Sequence, residues 1–200
     1  MKESGRLMDE LGKAGVRPED IDTVVLTHLH PDHVGWNLQG EGSERRLTFP
    51  RARYLAHQAD WETFNKPEVQ AAIPWAYVDD TIKPLQELGA LDLLTADRTI
   101  TDEITAIHTP GHTPGSISLL ISSGGERAIL TGDSFAHPAQ VTEPDMGFAF
   151  DFDGDLAAQA RQSLLQRIES EGMTLAACHF PEPGFGRIIR LEGRRYSQAI

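Results

Sequence analysis

Three histidines and one aspartate lie within six positions of the segment HLHPDH, directly after the apolar run TVVLT. They are His28, His30, Asp32 and His33. Imidazole nitrogens and carboxylate oxygens are ligand atoms that zinc and similar divalent cations take from proteins. Residues two apart in an extended chain point to one side, so we expect His28 and His30 to share one metal ion. Pro31 ends the strand, so that Asp32 and His33 approach from another direction.

Three later apolar runs each end in a residue that can also bind a metal ion. EITAI leads to His112, RAIL leads to Asp133, and TLAA leads to His179. Gly111 and Gly115 permit a tight loop around His112, because glycine adopts backbone angles that other residues avoid. Strand ends that meet at one rim of a sheet let loops carry the chemistry while the strands keep it rigid. We therefore expect these three residues to join the first four.

Together the seven residues offer imidazoles and carboxylates, and none of them is a cysteine. Structural zinc sites usually close four ligands around one ion and favour cysteine, whereas catalytic zinc keeps a position open for water. The set divides into three ligands for each of two ions and one bridging carboxylate. The expected ligands of the first ion are His28, His30 and His112, and those of the second ion are Asp32, His33 and His179. Asp133 is the expected bridge between the two ions. Ordinary structural or surface roles are assigned to His57 and His108.

Two cations in such a site predict hydrolytic chemistry. The expected ions are two Zn²⁺, with iron, manganese or cobalt as alternatives. They lower the pKa of bound water toward neutrality, so that hydroxide exists at ordinary pH and attacks a carbonyl or phosphoryl centre. Asp32 and Asp133 are the candidate catalytic groups that orient this nucleophile by accepting a hydrogen bond. His137 is a candidate acid or substrate contact, and a plain loop histidine is an equal alternative.

Aromatic side chains near the metal motifs predict an apolar substrate pocket, although most aromatic residues in any domain fill its core. Trp36 and Phe135 flank metal motifs, and Phe148 lies in the glycine-containing segment DMGFAFDFDGD. These three residues are the candidate substrate contacts. The expected partner is a small molecule.

The composition predicts one soluble domain over residues 1–200. Of the residues, 40% are hydrophobic and 24% are charged, and the formal net charge is −12. This charge would repel a polyanion, which argues against nucleic acid as a partner. No apolar run reaches the roughly 18 residues of a membrane span, so neither a membrane nor a secretory leader is expected. The single cysteine, Cys178, fits a reducing compartment, and the expected location is cytoplasmic.

Strands and helices mix in the manner of an α/β fold. The helical patterns cover residues 3–14, 57–65, 68–88 and 155–171. The expected strands are TVVLT, ARYLA, EITAIH, SISLLIS, RAILTG, TLAACH and RIIRL. Asp153 or Asp155 is the expected cap of the last helix, and Gly172 is its expected end. The segment SSGGE predicts a hairpin turn, because its glycines can take positive φ angles.

The motifs HLHPDH, TPGHTPGS, LTGD and CHF, in this order, resemble those of the metallo-β-lactamase superfamily. The resemblance extends from about residue 20 to about residue 190 and implies a four-layer αββα sandwich. The seven residues named above match the superfamily's ligand pattern at every position. The segments HPDHVGWN, FAHPAQ and HFPEPGFGRI look closest to the branch of acyl-homoserine lactonases and methyl-parathion hydrolases. That branch implies a binuclear zinc hydrolase of lactones, esters or phosphotriesters.

Two positions separate this chain from other branches of the superfamily that it resembles. The best known class B β-lactamases place Cys where Asp133 stands, and flavo-diiron proteins place Glu where His30 stands, so both activities are disfavoured. Other functions stay open. The chain is also similar to mononuclear iron enzymes such as persulfide dioxygenases, and to the thioester hydrolase glyoxalase II. A non-catalytic binding module of the same fold is the third alternative.

The start of the chain departs from the superfamily pattern. Its members usually open with several strands and an Asp-Thr-Gly loop before the first metal motif, whereas here His28 lies close to the first residue. The first sheet is therefore expected to be incomplete. Apolar faces and an unpaired strand edge would be exposed, which predicts low stability or self-association, with a homodimer as one form.

Overall fold

The computed structural model describes residues 5–40, 42–72 and 77–200, and at residue 43 it describes the backbone alone. The chain divides into two compact units, Met1–Leu94 and Thr95–Ile200. We call them the N-terminal unit and the C-terminal unit. Both contain helices and strands, which confirms the mixed α/β class. One domain over residues 1–200 stays a prediction.

The N-terminal unit is built around a short parallel sheet. Its helices and strands are α1 (Leu7–Lys13), β1 (Thr23–Val25), α2 (Pro31–Val34), β2 (Leu38–Gln39), β3 (Arg46–Leu47), β4 (Arg53–His57), α3 (Gln58–Phe64), α4 (Pro67–Ala72), α5 (Lys83–Glu87) and β5 (Leu91–Leu94). A π-helical turn over Val78–Ile82 runs directly into α5. Strands β1, β4 and β5 pair in parallel in that order, and β2 pairs with β3. Because neighbouring parallel strands end at the same edge, the segments that follow β1 and β4 begin side by side.

The C-terminal unit contains a seven-stranded mixed sheet. Its strands and helices are β6 (Arg98–Thr99), β7 (Ile104–His108), β8 (Ile117–Ser123), β9 (Glu126–Leu130), α6 (Ala139–Thr142), α7 (Gly154–Glu171), β10 (Thr174–Ala176), β11 (Phe185–Leu191) and β12 (Arg194–Ala199). The strand order runs from β12 to β6 in reverse sequence order. Strands β9 and β10 pair in parallel, and the other neighbours are antiparallel. Strands β7, β9 and β10 consequently point in one direction and end at the same edge of the sheet.

Each unit has its own hydrophobic core. Side chains without exposed surface in the N-terminal unit include Leu29, Tyr54, Phe64, Ile82 and Leu85. Their counterparts in the C-terminal unit include Ile129, Phe135, Val141 and Leu165. Burying an apolar side chain of this size stabilises the folded state by roughly 1.5–3 kcal/mol. Since Leu29 lies between His28 and His30, the first core also anchors the HLHPDH segment.

The seven predicted strands are confirmed in position, and other strands were missed. Each of the seven predicted runs overlaps an observed strand, although RAILTG stops pairing at Leu130 and TLAACH at Ala176. Strand β12 was not predicted because its sequence, RRYSQA, has too few apolar residues to show a period of two. Strand β5 was also missed. The predicted helix over 68–88 is divided into α4, the π-helical turn and α5, and residues 73–76 lie outside the described ranges.

The SSGGE segment forms the predicted hairpin turn between β8 and β9. Ser123 pairs with Glu126, which leaves a two-residue loop of Gly124 and Gly125. Their φ angles are 60° and 87°, and a tight hairpin turn with two positive φ angles matches the right-handed twist of the strands. None of the helices in the described part of the chain is long and apolar enough to cross a membrane.

Asp153 is the cap of α7, as one of the two sequence alternatives predicted. Its side chain accepts a hydrogen bond of 2.9 Å from the backbone N–H of Leu156, and Gly172 ends the helix in the left-handed conformation. Replacing Asp153 with alanine is expected to lower the free energy of unfolding by about 1 kcal/mol, because the N–H loses its partner. Asp155→Ala is the matched control and should cost about 0.3 kcal/mol. Urea unfolding followed by circular dichroism measures both, and equal costs would contradict the assignment.

Candidate metal centre

The HLHPDH segment brings its donor side chains together within the N-terminal unit. The ring centroids of His28 and His30 are 4.8 Å apart, and those of His28 and His33 are 4.0 Å apart. His33 Nε2 lies 3.4 Å from Asp32 Oδ2. His28 is buried, whereas the Asp32 side chain is 55% exposed. The segment therefore forms one cluster that contains both buried and exposed donor side chains.

Two side chains that the sequence did not single out hold the backbone between His28 and His30. The N–H of Leu29 donates to Asp60 Oδ2 at 3.1 Å, and the hydroxyl of Tyr77 donates to the carbonyl oxygen of Leu29 at 2.9 Å. Asp60 lies on α3, which starts where β4 ends, beside the end of β1. Both polar groups of Leu29 are thereby paired in a buried environment. These two hydrogen bonds therefore hold the backbone between the two histidines.

Replacing Tyr77 with phenylalanine is expected to lower the free energy of unfolding by about 1–3 kcal/mol, because the buried carbonyl of Leu29 loses its donor. Burial, with the nearby charges of Asp60 and Asp32, raises the pKa of the Tyr77 hydroxyl. The unfolded protein therefore loses this proton first, and wild-type stability should fall as pH rises above about 10. The difference between wild type and variant should shrink there. Urea unfolding at pH 8 and above pH 10 measures both effects.

The control for this variant is Tyr196→Phe, because Tyr196 is 37% exposed. Its hydroxyl should contribute less than about 0.5 kcal/mol at pH 8. If Tyr77→Phe were as stable as Tyr196→Phe, the hydroxyl of Tyr77 would not be holding the metal motif.

The C-terminal unit brings His112, Asp133 and His179 together at one edge of its sheet. They follow β7, β9 and β10, which all end at this edge. Asp133 Oδ2 lies 3.1 Å from His179 Nε2 and 3.5 Å from His112 Nε2. The side chains of His112 and Asp133 are 1% and 4% exposed, and that of His179 is 41% exposed. The predicted convergence of strand ends is observed within this unit.

The loop that carries His112 is fixed by hydrogen bonds of its own. Thr109 N–H donates to the carbonyl of Ser116, and Gly111 N–H donates to the carbonyl of Thr113. Thr113 N–H donates in turn to the hydroxyl of Ser116. On the far side of the His112 ring, Nδ1 lies 3.1 Å from Asp151 Oδ1. Asp151 is a further residue that the sequence did not identify.

The chemistry of these donors fits divalent metal ions. A carboxylate can only accept a hydrogen bond, so His112 donates its Nδ1–H to Asp151 and, when neutral, directs the lone pair of Nε2 at Asp133 Oδ2. Two lone pairs at 3.5 Å repel each other unless a proton or a cation lies between them. In the N-terminal unit, His28 and His30 offer nitrogen atoms within 4.8 Å of each other, as zinc ligands do. Each unit therefore carries His and Asp side chains of the kind that can bind a divalent metal ion.

The other predicted residues have different surroundings. His137 is exposed, and its Nδ1 accepts a hydrogen bond from the N–H of Ala139 at the start of α6. Phe135 has no exposed surface and packs in the core of the C-terminal unit, so it offers no surface to a substrate in this conformation. Phe148 is half-buried, with its ring stacked on His112 at 5.9 Å, and Trp36 is half-buried after α2. Substrate contact by Trp36 and Phe148 stays a prediction.

His57 and His108 have structural hydrogen bonds. His57 Nδ1 accepts from the N–H of Ala59 and caps α3. His108 Nε2 lies 2.8 Å from the carbonyl oxygen of Pro114. These contacts agree with the structural roles that the sequence predicted for both.

Known proteins are similar to this chain in sequence and in fold. A Bacillus sp. protein named N-acyl homoserine lactonase is 28% identical over 171 residues, which are 86% of this chain and 60% of the relative. The solved structure of AidC, a dizinc quorum-quenching lactonase in complex with a homoserine product, matches with a TM-score of 0.82 and 25% identity. That match covers 100% of this chain and 71% of AidC. A hydrolase of the beta lactamase superfamily, AbOPH, matches with a TM-score of 0.80 and 26% identity, over 96% of this chain and 68% of its own.

The matches cover most of this chain but only part of each relative. This chain spans about 60% of the length of the Bacillus lactonases that it matches. The family model described as metallo-beta-lactamase superfamily matches residues 1–179, which include all seven predicted ligands. The chain therefore belongs to the metallo-beta-lactamase superfamily, as its motifs predicted.

Proposed function

We propose that this protein is a binuclear zinc-dependent hydrolase that acts on a lactone, an ester or a phosphotriester. The observation that carries the proposal is the position of Asp133, whose Oδ2 faces Nε2 of both His112 and His179. Because Asp133 lies beside one candidate ligand of each ion, we propose that its carboxylate bridges the two ions. The relatives named as lactonases, one of them described as dizinc, support the same activity.

The donors of the two units would hold the ions as the sequence predicts. The proposed ligands are His28, His30 and His112 for one ion, Asp32, His33 and His179 for the other, and Asp133 for both. When bound, two Zn²⁺ ions supply a water of lowered pKa and a Lewis acid for the oxygen of the substrate. Iron, manganese and cobalt suit the same donors.

The chain's own carboxylates orient the attacking water. Asp32 and Asp133 accept hydrogen bonds from this water. These hydrogen bonds aim the lone pair of its oxygen at the electrophilic carbon or phosphorus of the substrate. Asp133 is held rigidly for this role, since its side chain is buried between two histidines. Asp32 is exposed and lies where a substrate can reach it. Trp36 and Phe148 would provide apolar contacts, and His137 is a candidate acid for the leaving group.

The proposal extends to the partner, the location and the assembly of the protein. A small-molecule substrate suits a chain of formal net charge −12 better than nucleic acid does. We further propose a cytoplasmic location and assembly as a homodimer. Sedimentation velocity at two protein concentrations measures the assembly directly.

A hydrolysis panel with metal-loaded protein tests the proposed function. Zinc-dependent turnover of a lactone, an aryl ester or paraoxon is the expected result. One bound iron with oxygen consumption on a persulfide would indicate a dioxygenase instead, and turnover of a glutathione thioester alone would indicate a glyoxalase II activity. Bound ions without turnover of any of these substrates would indicate the non-catalytic binding module and contradict the proposal.

A further inference from the structure

A buried arginine of α7 organises the segment that follows α6. Arg161 has no exposed surface. Its Nε donates to the carbonyl oxygen of Pro144 at 2.8 Å, and one terminal nitrogen donates to the carbonyl of Met146 at 3.1 Å. The other terminal nitrogen lies 3.4 Å from Asp151 Oδ2. A guanidinium has a fixed planar set of donors, so these contacts hold the two ends of the 144–151 segment at set positions.

Asp151 connects this arginine to His112. Its side chain is 2% exposed, and it divides its oxygens between two directions. Oδ2 accepts from the N–H of Phe148 at 3.2 Å and faces Arg161, while Oδ1 faces Nδ1 of His112 at 3.1 Å. The buried carboxylate of Asp151 thus lies between the buried guanidinium of Arg161 and the imidazole of His112.

The backbone around His112 is joined to the same segment. Phe152 N–H donates to the carbonyl oxygen of His112, and Asp153 N–H donates to that of Gly111, both at 3.0 Å. Gly111 has a φ angle of 139°, and a Cβ atom there would lie 2.3 Å from the backbone nitrogen of Ala157 on α7. Only glycine permits this close approach. Side chain and backbone of His112 are therefore both positioned by the start of α7 and the segment before it.

We propose that Asp151, held in place by Arg161, is a positioning residue that fixes the ring of His112 for metal binding. The inference rests on the proposed function, because it assigns His112 Nε2 to a metal ion. Asp151 accepts the Nδ1–H, which selects the tautomer whose Nε2 lone pair faces Asp133, and it prevents the ring from rotating. Outer carboxylates of this kind typically change metal affinity by about 10–100-fold.

Zinc affinity of the Asp151→Asn variant tests the inference. The amide removes the charge that faces Arg161 and His112 but keeps the side-chain volume. In chelator competition with the zinc-loaded protein, one of the two zinc equivalents is expected to bind about 10–100-fold more weakly than in wild type. The absorption spectrum of the cobalt-substituted protein should change for one ion and stay constant for the other.

Asp145→Asn is the matched control. Asp145 lies in the same segment and accepts a hydrogen bond of 2.6 Å from Gln162, the neighbour of Arg161 on α7. It has the same chemistry as Asp151 on an exposed surface, so its zinc affinity should stay within about 2-fold of wild type. Equal zinc affinities for Asp151→Asn and Asp145→Asn, with both variants folded, would overturn the inference.

A measurement on the wild-type protein decides the matter if Asp151→Asn does not fold. In the ¹⁵N spectrum of the zinc-loaded protein, His112 should show a protonated Nδ1 and a metal-bound Nε2. A metal-bound Nδ1 would overturn the inference. Two outcomes separate this inference from the proposed function. If wild type hydrolyses the substrate panel and Asp151→Asn binds zinc as tightly as wild type, the role of Asp151 is refuted and the proposed function stands. If Asp151→Asn binds zinc more weakly but wild type hydrolyses none of the substrates, the proposed function is refuted and the role of Asp151 stands.

Discussion

Replacing Asp133 with alanine is expected to lower hydrolysis by more than about 100-fold and to release metal. The loss of an outer partner already costs about 10–100-fold, and Asp133 is proposed to contact both ions directly. The substitution also leaves Nε2 of His112 and Nε2 of His179 without the oxygen that lies between them. Steady-state kinetics on the best substrate of the panel and elemental analysis of the same samples measure the two effects together.

Asp102→Ala is the control for this variant, because Asp102 is an exposed residue before β7. Its activity and metal content should equal those of wild type. Circular dichroism should show that Asp133→Ala retains its secondary structure. If Asp133→Ala hydrolysed the substrate at the wild-type rate, Asp133 would not be a bridging ligand.

Replacing Arg161 with methionine should destabilise the protein by about 3–5 kcal/mol, since Asp151 would keep a buried charge without its partner. Both side chains are 2% exposed or less. The carbonyl groups of Pro144 and Met146 would also lose their donor. The free energy of unfolding from urea titration measures this cost.

Arg167→Met provides the comparison on the same helix. Arg167 pairs with Glu171 one turn later, and its side chain is 38% exposed. An exposed pair of this kind contributes about 0.3–0.5 kcal/mol, so the control should remain close to wild type. If the two variants were equally stable, Arg161 would not be organising the segment that carries Asp151.

The sequence predicted that the candidate ligands lie near the ends of strands, because each of them follows a strongly apolar run. The runs EITAI, RAIL and TLAA predict β7, β9 and β10 by their composition, and the topology brings their ends to one edge. Local signals also predicted the end of α7 at Gly172 and narrowed its cap to Asp153 or Asp155, since caps act within one turn of the helix. Such features depend on a few neighbouring residues and can be read from short segments.

The residues that support the ligands could not be predicted in this way. Asp60, Tyr77 and Asp151 contact partners 31, 48 and 39 positions away in the sequence. A lone aspartate on a helix or in a loop carries no local sign of such a partner. The one available signal was a charged residue, Arg161, at a position of α7 that faces the core along with Leu164 and Leu165. Buried arginine requires buried acceptors, so this position pointed to a polar network.

Metal content of the purified chain tests the central claim, which is that the seven side chains hold two metal ions. The protein is equilibrated with zinc, passed through a desalting column and analysed for zinc and protein in the same sample. Two zinc ions per chain are expected for wild type and one or none for Asp133→Ala. Wild-type protein that retains no zinc, or the same zinc content in both proteins, would contradict the central claim.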